Sequence, residues 1–491
     1  FVMKNLNYKV VLLYAVVFLF TSCNKYLEKE PDNRTNITTP EQLAQLLTTA
    51  YPQGNYIPFL EAMSDNAEDK GSTGITDEDL NRINRSSYRF EVVQISPDKE
   101  DGPDFYWASC YKAIAAANQA LEIIDKTADK SVLNPHRGEA LLARAYAHFM
   151  LVTLFAKAYD PATADSDPGI PYDTTRETRV FQQYERKTVA YVYEMIEKDL
   201  LEGYPLIDEK IYGIAPAFHF NKAAAAAFAA RFYLFKRDYE KVITYANAAL
   251  PGTTAENLRP WNTVLRDLPY VELQAEYSKT TLKGNLLLQE APSIWGRSYP
   301  SLRYGLGERV ANRFLIQPNA TGQNFDYPLY GSDPTSYNIP KFFEFFVRQD
   351  INANTGIPYN TIPLLTAEEA LLNRAEAYLA IDNRNKAIED LNSFASQNMT
   401  DYTSADALTT SKLTSYYGLD VVSSIFSAIL DFKQAFFIHE GLRWLDIIRV
   451  NIPVVHTTVE GEVLVLDRGD PKRILQLPLL TKQAGLEPNA R

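Results

Sequence analysis

Thr366-Ala-Glu-Glu-Ala-Leu-Leu-Asn-Arg-Ala-Glu-Ala-Tyr-Leu-Ala-Ile-Asp382-Asn-Arg-Asn-Lys-Ala-Ile-Glu-Asp-Leu-Asn-Ser-Phe394 is the stretch whose reading decides the fold. Thr366 with Glu369 has the spacing of a capping box, and Leu371, Ala375, Tyr378 and Leu379 follow at helical intervals. Asp382-Asn383-Arg384 reads as a turn, after which Ala387, Ile388, Leu391 and Phe394 mark a second helix. An earlier stretch has the same design. Asn221 to Phe235 carries a face of small residues, Ala223 to Ala227. Lys236-Arg237-Asp238 is its turn, and Tyr239, Val242, Ile243, Ala246 and Leu250 form the return stripe. Small residues let two helices approach closely, as an antiparallel helical hairpin requires.

Working outward, Thr39-Pro40-Glu41-Gln42 opens a helix carrying Leu43, Leu46, Leu47 and Ala50. Trp107, Tyr111, Ile114, Leu121 and Ile124 mark another. A long helix from about Arg137 to Tyr159 sets Leu142, Ala145, Phe149, Val152 and Phe155 on one stripe, with Arg144, His148 and Lys157 outside it. Its partner carries Val189, Val192, Tyr193, Ile196 and Leu200. Pairs of this length and small-residue pattern resemble tetratricopeptide repeats, but large segments separate them. The expected class is all-α, a helical scaffold with large loop-rich insertions and minor β, the latter at Glu462-Val-Leu-Val-Leu466. The helical scaffold covers about 39–250 and 364–450. Between them, about 251–363 is dense in Gly, Pro, Asn and aromatics, and is the expected ligand-binding insertion.

The first residues read differently. Lys4 and Lys9 precede the apolar run Val10 to Phe20, then Thr21, Ser22 and Cys23. The run is too short for a transmembrane helix, which needs about 20 residues, and has the layout of an export signal. Phe20-Thr21-Ser22-Cys23 resembles the lipobox of bacterial lipoproteins, which implies a signal at 1–22, lipidation of Cys23 and a tether over 23–38. A formal charge of −12, or −14 once Lys4 and Lys9 are removed, disfavours nucleic acid as a partner. Cys23 and Cys110 are the two cysteines, so a lipidated Cys23 leaves Cys110 without a disulfide partner.

Taken in order, several motifs resemble the SusD/RagB family of outer-membrane nutrient-binding lipoproteins. They are the lipidated start Cys23 to Pro31, Trp107-x-x-x-Tyr111-x-x-Ile114-x-x-x-Asn118, and Ala143-Arg144-Ala145-Tyr146 followed by Gly169-Ile170-Pro171-Tyr172. Arg231-Phe232-Tyr233-Leu234, Leu372-x-x-Ala375-Glu376-Ala377-Tyr378 and Glu440-Gly441-Leu442-Arg443-Trp444-Leu445-Asp446-Ile447-Ile448-Arg449 complete the set. Ala156 and Phe436 depart from the family pattern. The resemblance implies one SusD-like domain over 39–491 and a non-catalytic, lipid-anchored cell-surface protein. Such a protein hands oligosaccharides to a SusC-type TonB-dependent outer-membrane transporter; RagB-like members take peptides instead.

Candidate ligand contacts are Trp295, Arg297, Tyr299, Arg303 and Tyr304, where aromatics and donors alternate, with Asp65 and Asn66 from an earlier polar loop. The competing readings are packing of Trp295 beneath its loop and Asx-turn capping by Asp65 and Asn66. Trp107 and Tyr111 lie on an apolar stripe and read as core, while Arg443, Asp446 and Arg449 read as ion-pair formers. The five histidines form no HExxH or other close pair, Gly305-Leu306-Gly307 is not a dinucleotide loop, and no Gly-x-Ser-x-Gly elbow exists. No metal or cofactor is expected. A glycosidase needs only two carboxylates about 5–10 Å apart, so sequence leaves that alternative open.

Overall fold

The computed structural model describes residues 37, 39–175, 183–213, 216–348, 350 and 352–491. The export signal, Cys23 and nearly all of the tether lie outside these residues. The chain divides into a short N-terminal unit ending at Leu43 and a large unit, Ala44–Arg491. In the first, Thr39 and Gln42 exchange the two hydrogen bonds of a capping box at 3.3 Å, opening helix α1 (Pro40–Leu47).

The large unit is a set of packed helical hairpins. In chain order its first helices are α2 (Ile57–Met63), α3 (Glu78–Tyr88), α4 (Pro103–Lys126), α5 (Asn134–Phe155) and α6 (Val189–Gly203). The pair α7 (Lys222–Lys236) and α8 (Tyr239–Ala249) follows, then α9 (Tyr270–Tyr277), then the pair α10 (Ala367–Ala380) and α11 (Arg384–Asn398). The last three are α12 (Thr410–Tyr417), α13 (Val421–Phe436) and α14 (Leu442–Val450). Helix α5 packs between α4 and α6, and α10 contacts α7, α8, α11 and α13. No single helix among the described residues is long and apolar enough to cross a membrane.

The two hairpins first recognised in the sequence turn by the same device. Arg237 and Asp382 both take the left-handed conformation, at φ 64° and 62°. The next residue then caps the second helix: Asp238 accepts from the Lys241 amide and Asn383 from the Lys386 amide. At Thr366 the cap forms on the Glu369 amide, but the Glu369 carboxylate does not reach back; it binds Arg231 of α7, with Nε at 2.6 Å.

Helix α5 is buried almost all round, so Arg144 and His148, though outside its apolar stripe, do not face solvent. Arg144 binds Asp199 of α6 with two contacts of 2.7 Å. His148 stacks on Tyr172 at 3.8 Å and accepts from the Asp173 amide. The α5–α6 approach is close enough that a Cβ on Gly138 would lie 2.9 Å from the Gly203 carbonyl. Helix α5 ends at Phe155, four residues before the expected Tyr159, because Ala156 is already extended.

Among the described residues, seven strands accompany the helices. They are β1 (Ala67–Asp69), β2 (Asn285–Pro292), β3 (Tyr304–Leu306), β4 (Glu344–Arg348), β5 (Gly356–Thr366), β6 (Val454–Thr457) and β7 (Val463–Leu466). All pairings are antiparallel: β1 with β3, β6 with β7, and β5 between β2 and β4. The segment expected to be loop-rich therefore holds a helix and a three-stranded sheet. Trp107 is core, against Phe155 at 4.8 Å, and Tyr111 gives its hydroxyl to the Pro171 carbonyl. Cys110 is a free, buried thiol.

Candidate functional site

Strand β3 and the residues just before it form an arc, largely buried, from which Arg297 and Arg303 reach the surface. The ladder Ala67↔Leu306, Glu68↔Gly305, Asp69↔Tyr304 draws the early polar loop onto this arc. The Lys70 amide bonds the Arg303 carbonyl at 2.9 Å and the Gly74 amide the Ser301 carbonyl at 2.8 Å, extending the contact. Two regions singled out separately in the sequence are thus neighbours.

Within that neighbourhood the predicted residues part company. Trp295 is 3 % exposed, with its indole N–H donated to the His439 carbonyl at 3.2 Å. Tyr299 is 2 % exposed and its hydroxyl donates to the Ile339 carbonyl, while Tyr304, 6 % exposed, stacks on Tyr88 at 4.2 Å. Asn66 is fully buried and accepts from the Gln434 amide group. These four residues are interior and form the base of the arc, offering no open ring or amide to a ligand. Asp65 is committed to Arg443 through two contacts of 2.8 Å. Helix α14 carries that arginine, and Asp446 and Arg449 pair within the same helix and with Lys433 and Glu376, as their spacing predicts.

The two arginines remain at the surface. Arg297, with 47 % of its side chain exposed, is held by Glu344 at 2.7–2.9 Å and lies over the Phe346 ring, 5.0 Å from its centroid. Arg303 binds Asp69 at 2.7 and 2.8 Å and Glu460 at 3.0 Å. Lys70 donates to the Pro300 carbonyl at 3.1 Å; burial pushes its pKa down to about 8, against the pull of Asp333.

Beyond Arg297 stands a feature the sequence reading left unassigned, the β4–β5 hairpin. Pairing Phe345↔Tyr359 and Val347↔Ile357 puts Phe343, Phe345, Val347, Ile357 and Tyr359 on one face. Their rings are nearly parallel, Phe343 to Phe345 at 19° and Phe345 to Tyr359 at 28°. Phe346, 57 % exposed, lies on the opposite face with Arg297. Across β5, Glu290 opposite Thr361 and Pro292 opposite Tyr359 extend the first face. The signal was present: Phe342-Phe343-Glu344-Phe345-Phe346 cannot turn every ring inward on a strand of period 2.

Beneath the surface lies a network of buried charge. Lys341 binds Glu440 at 2.7 Å, and Glu440 accepts from the Tyr277 hydroxyl. Arg259 binds Glu368 at 2.6 Å, both wholly buried. Glu61 accepts from the amides of His439 and Gly441, yet burial raises its pKa to about 7. Among the described residues no cluster of three His, Cys, Asp or Glu could hold a metal ion.

Comparison with known proteins places this architecture. Residues 25–234 match the family model SusD-like_3, described as starch-binding associating with outer membrane. A SusD superfamily protein from Bacteroides thetaiotaomicron superposes with a TM-score of 0.65 at 16 % identity, covering 91 % of this chain and 98 % of that one. The chain has a SusD-like fold. A proposed sugar-binding protein from Bacteroides vulgatus shares this SusD-like fold with a TM-score of 0.67 at 19 % identity, over 93 % of this chain and 99 % of its own. For a SusD-like carbohydrate-binding protein from the same species the values are 0.62 and 17 %, over 90 % and 96 %. No curated protein matches by sequence.

Proposed function

We propose that this SusD-like chain is a non-catalytic, lipid-anchored glycan-binding protein of the outer-membrane surface that delivers oligosaccharides to a SusC-type TonB-dependent transporter. The observation that carries the glycan reading is the exposed β4–β5 hairpin, with its aromatic row Phe343, Phe345 and Tyr359 on one face and Phe346 with Arg297 on the other. Aromatic side chains cover the C–H faces of sugar rings, and a guanidinium oriented by Glu344 keeps donors for hydroxyls. Arg303 and Lys70 add polar groups beside β3, and the interior residues Trp295, Tyr299, Tyr304 and Asn66 hold the arc in place. The family description and the sugar-binding relatives support the same reading, as does the Cys23 lipobox for the anchor.

Titration calorimetry against a panel of oligosaccharides, with parallel chromatography for released products, tests it. Micromolar to millimolar binding to at least one glycan is expected, lost at least tenfold in Phe345→Ala or Tyr359→Ala and weakened in Arg297→Ala, with no cleavage. Cleavage abolished by removing a carboxylate pair would instead identify a glycosidase, and binding of peptides alone would identify a RagB-like role. Co-purification with a SusC-type transporter tests delivery. Palmitate labelling that persists in Cys23→Ser would remove the anchor.

A further inference from the structure

We infer that the glycan recognised by this surface is uncharged, and that chains carrying carboxylate or sulfate groups are rejected; the inference rests on the preceding reading of the site. Charge pairing along the surface supplies the argument. An anionic polymer is held by cations with charge to spare, preferably guanidiniums free to make two parallel bonds. Here the guanidiniums of the arc are already matched. Arg297 is neutralised by Glu344, and Arg303 faces two carboxylates, Asp69 and Glu460. A matched guanidinium still donates to a neutral hydroxyl but offers no net attraction to an anion.

The carboxylates, in contrast, are in surplus. Glu290 projects from the same face as the aromatic row, one register step from the Pro292–Tyr359 pair, and no cation contacts it among the described residues. Asp333 has its carboxylate tied to the amide and hydroxyl of Thr335 and feels the Lys70 ammonium without forming a direct ion pair with it. Two cations run the other way. Lys70 gives its ammonium to the Pro300 carbonyl, and Arg348, paired with Gly356 at the loop end of the hairpin, lies on the face that carries Phe346 and Arg297. Neither lies within the row itself. At −12 for the chain, the long-range field also opposes an approaching polyanion.

The test compares uncharged hexasaccharides built on glucose, xylose or mannose with hexagalacturonate and a sulfated disaccharide, by calorimetry at 20 and 500 mM NaCl. At least one uncharged probe is expected to bind with an affinity that changes less than twofold between the two salts. Both anionic probes should bind at least tenfold more weakly at low salt and gain on raising it. Glu290→Gln should narrow that gap severalfold. Equal or tighter binding of either anionic probe would overturn the inference; if Phe345→Ala then abolished that binding, the site itself would stand. Absence of binding by every probe would overturn both.

Discussion

Trp295 and Arg297 are two positions apart and do opposite work. The indole is buried with its N–H spent on a carbonyl, whereas the guanidinium is half exposed and aimed by Glu344. Trp295→Ala should therefore lower stability by about 3–5 kcal/mol, read from urea denaturation, and change ligand affinity only through loss of folding. Arg297→Ala should move stability by less than about 1 kcal/mol and weaken binding in calorimetry. Lys341 poses a sharper case. Its ammonium is enclosed against Glu440, so Lys341→Met leaves a buried carboxylate unpaired and should cost about 3–5 kcal/mol in the same unfolding measurement. Nothing in the local sequence distinguishes Trp295 from an exposed platform, because its partner, the His439 carbonyl, comes from far away in the chain.

Among the elements, helical hairpins were the most legible, since period, caps and turns are all local. The stretch opening at Thr366 shows this: cap, turn and second helix stand where residue spacing puts them, and only the Glu369 carboxylate goes elsewhere. The central sheet was illegible for an equally physical reason. Strand β5 contains Pro358 and Pro363, residues that cannot donate to a ladder and that argue against a central strand. Pro363 is tolerated opposite Leu288, next to the irregular register between Leu287 and Leu288. With β5 unrecognised, the faces of the aromatic hairpin could not be assigned, and so the surface aromatics went unnamed. The repeated turn makes its own prediction. Arg237 and Asp382 hold left-handed geometry that glycine adopts without strain, so Arg237→Gly and Asp382→Gly should each stabilise by about 0.5–1 kcal/mol, seen as a rise in Tm.

At the scale of the whole molecule, acid should act through buried imidazole. Burial lowers the His148 pKa from 6.5 to about 3, with the Arg144 carbonyl acting in the opposite sense. The unfolded chain then binds a proton that the native chain refuses between those values. The His148 contribution is complete above about pH 6.5 and falls as pH drops toward 3. Glu61 and Asp101, each raised by burial to about 7, act in the opposite direction: their contribution is complete below about 4 and falls as pH rises through 7. Denaturation of His148→Gln at several pH values isolates the first term, since its deficit relative to the parent chain should shrink in acid.

The ladder between β1 and β3 joins residues more than 230 positions apart, and the Asp65–Arg443 pair closes a span of 378. Contacts of such separation are costly to close and form late, whereas the helical hairpins need only their own residues. A chain emerging in order can complete α4 to α8 long before Tyr304 exists to meet Asp69. The arc is therefore assembled after those helices, and the polar loop near Asp69 must wait, without its ladder partner, until more than half of the chain has been made.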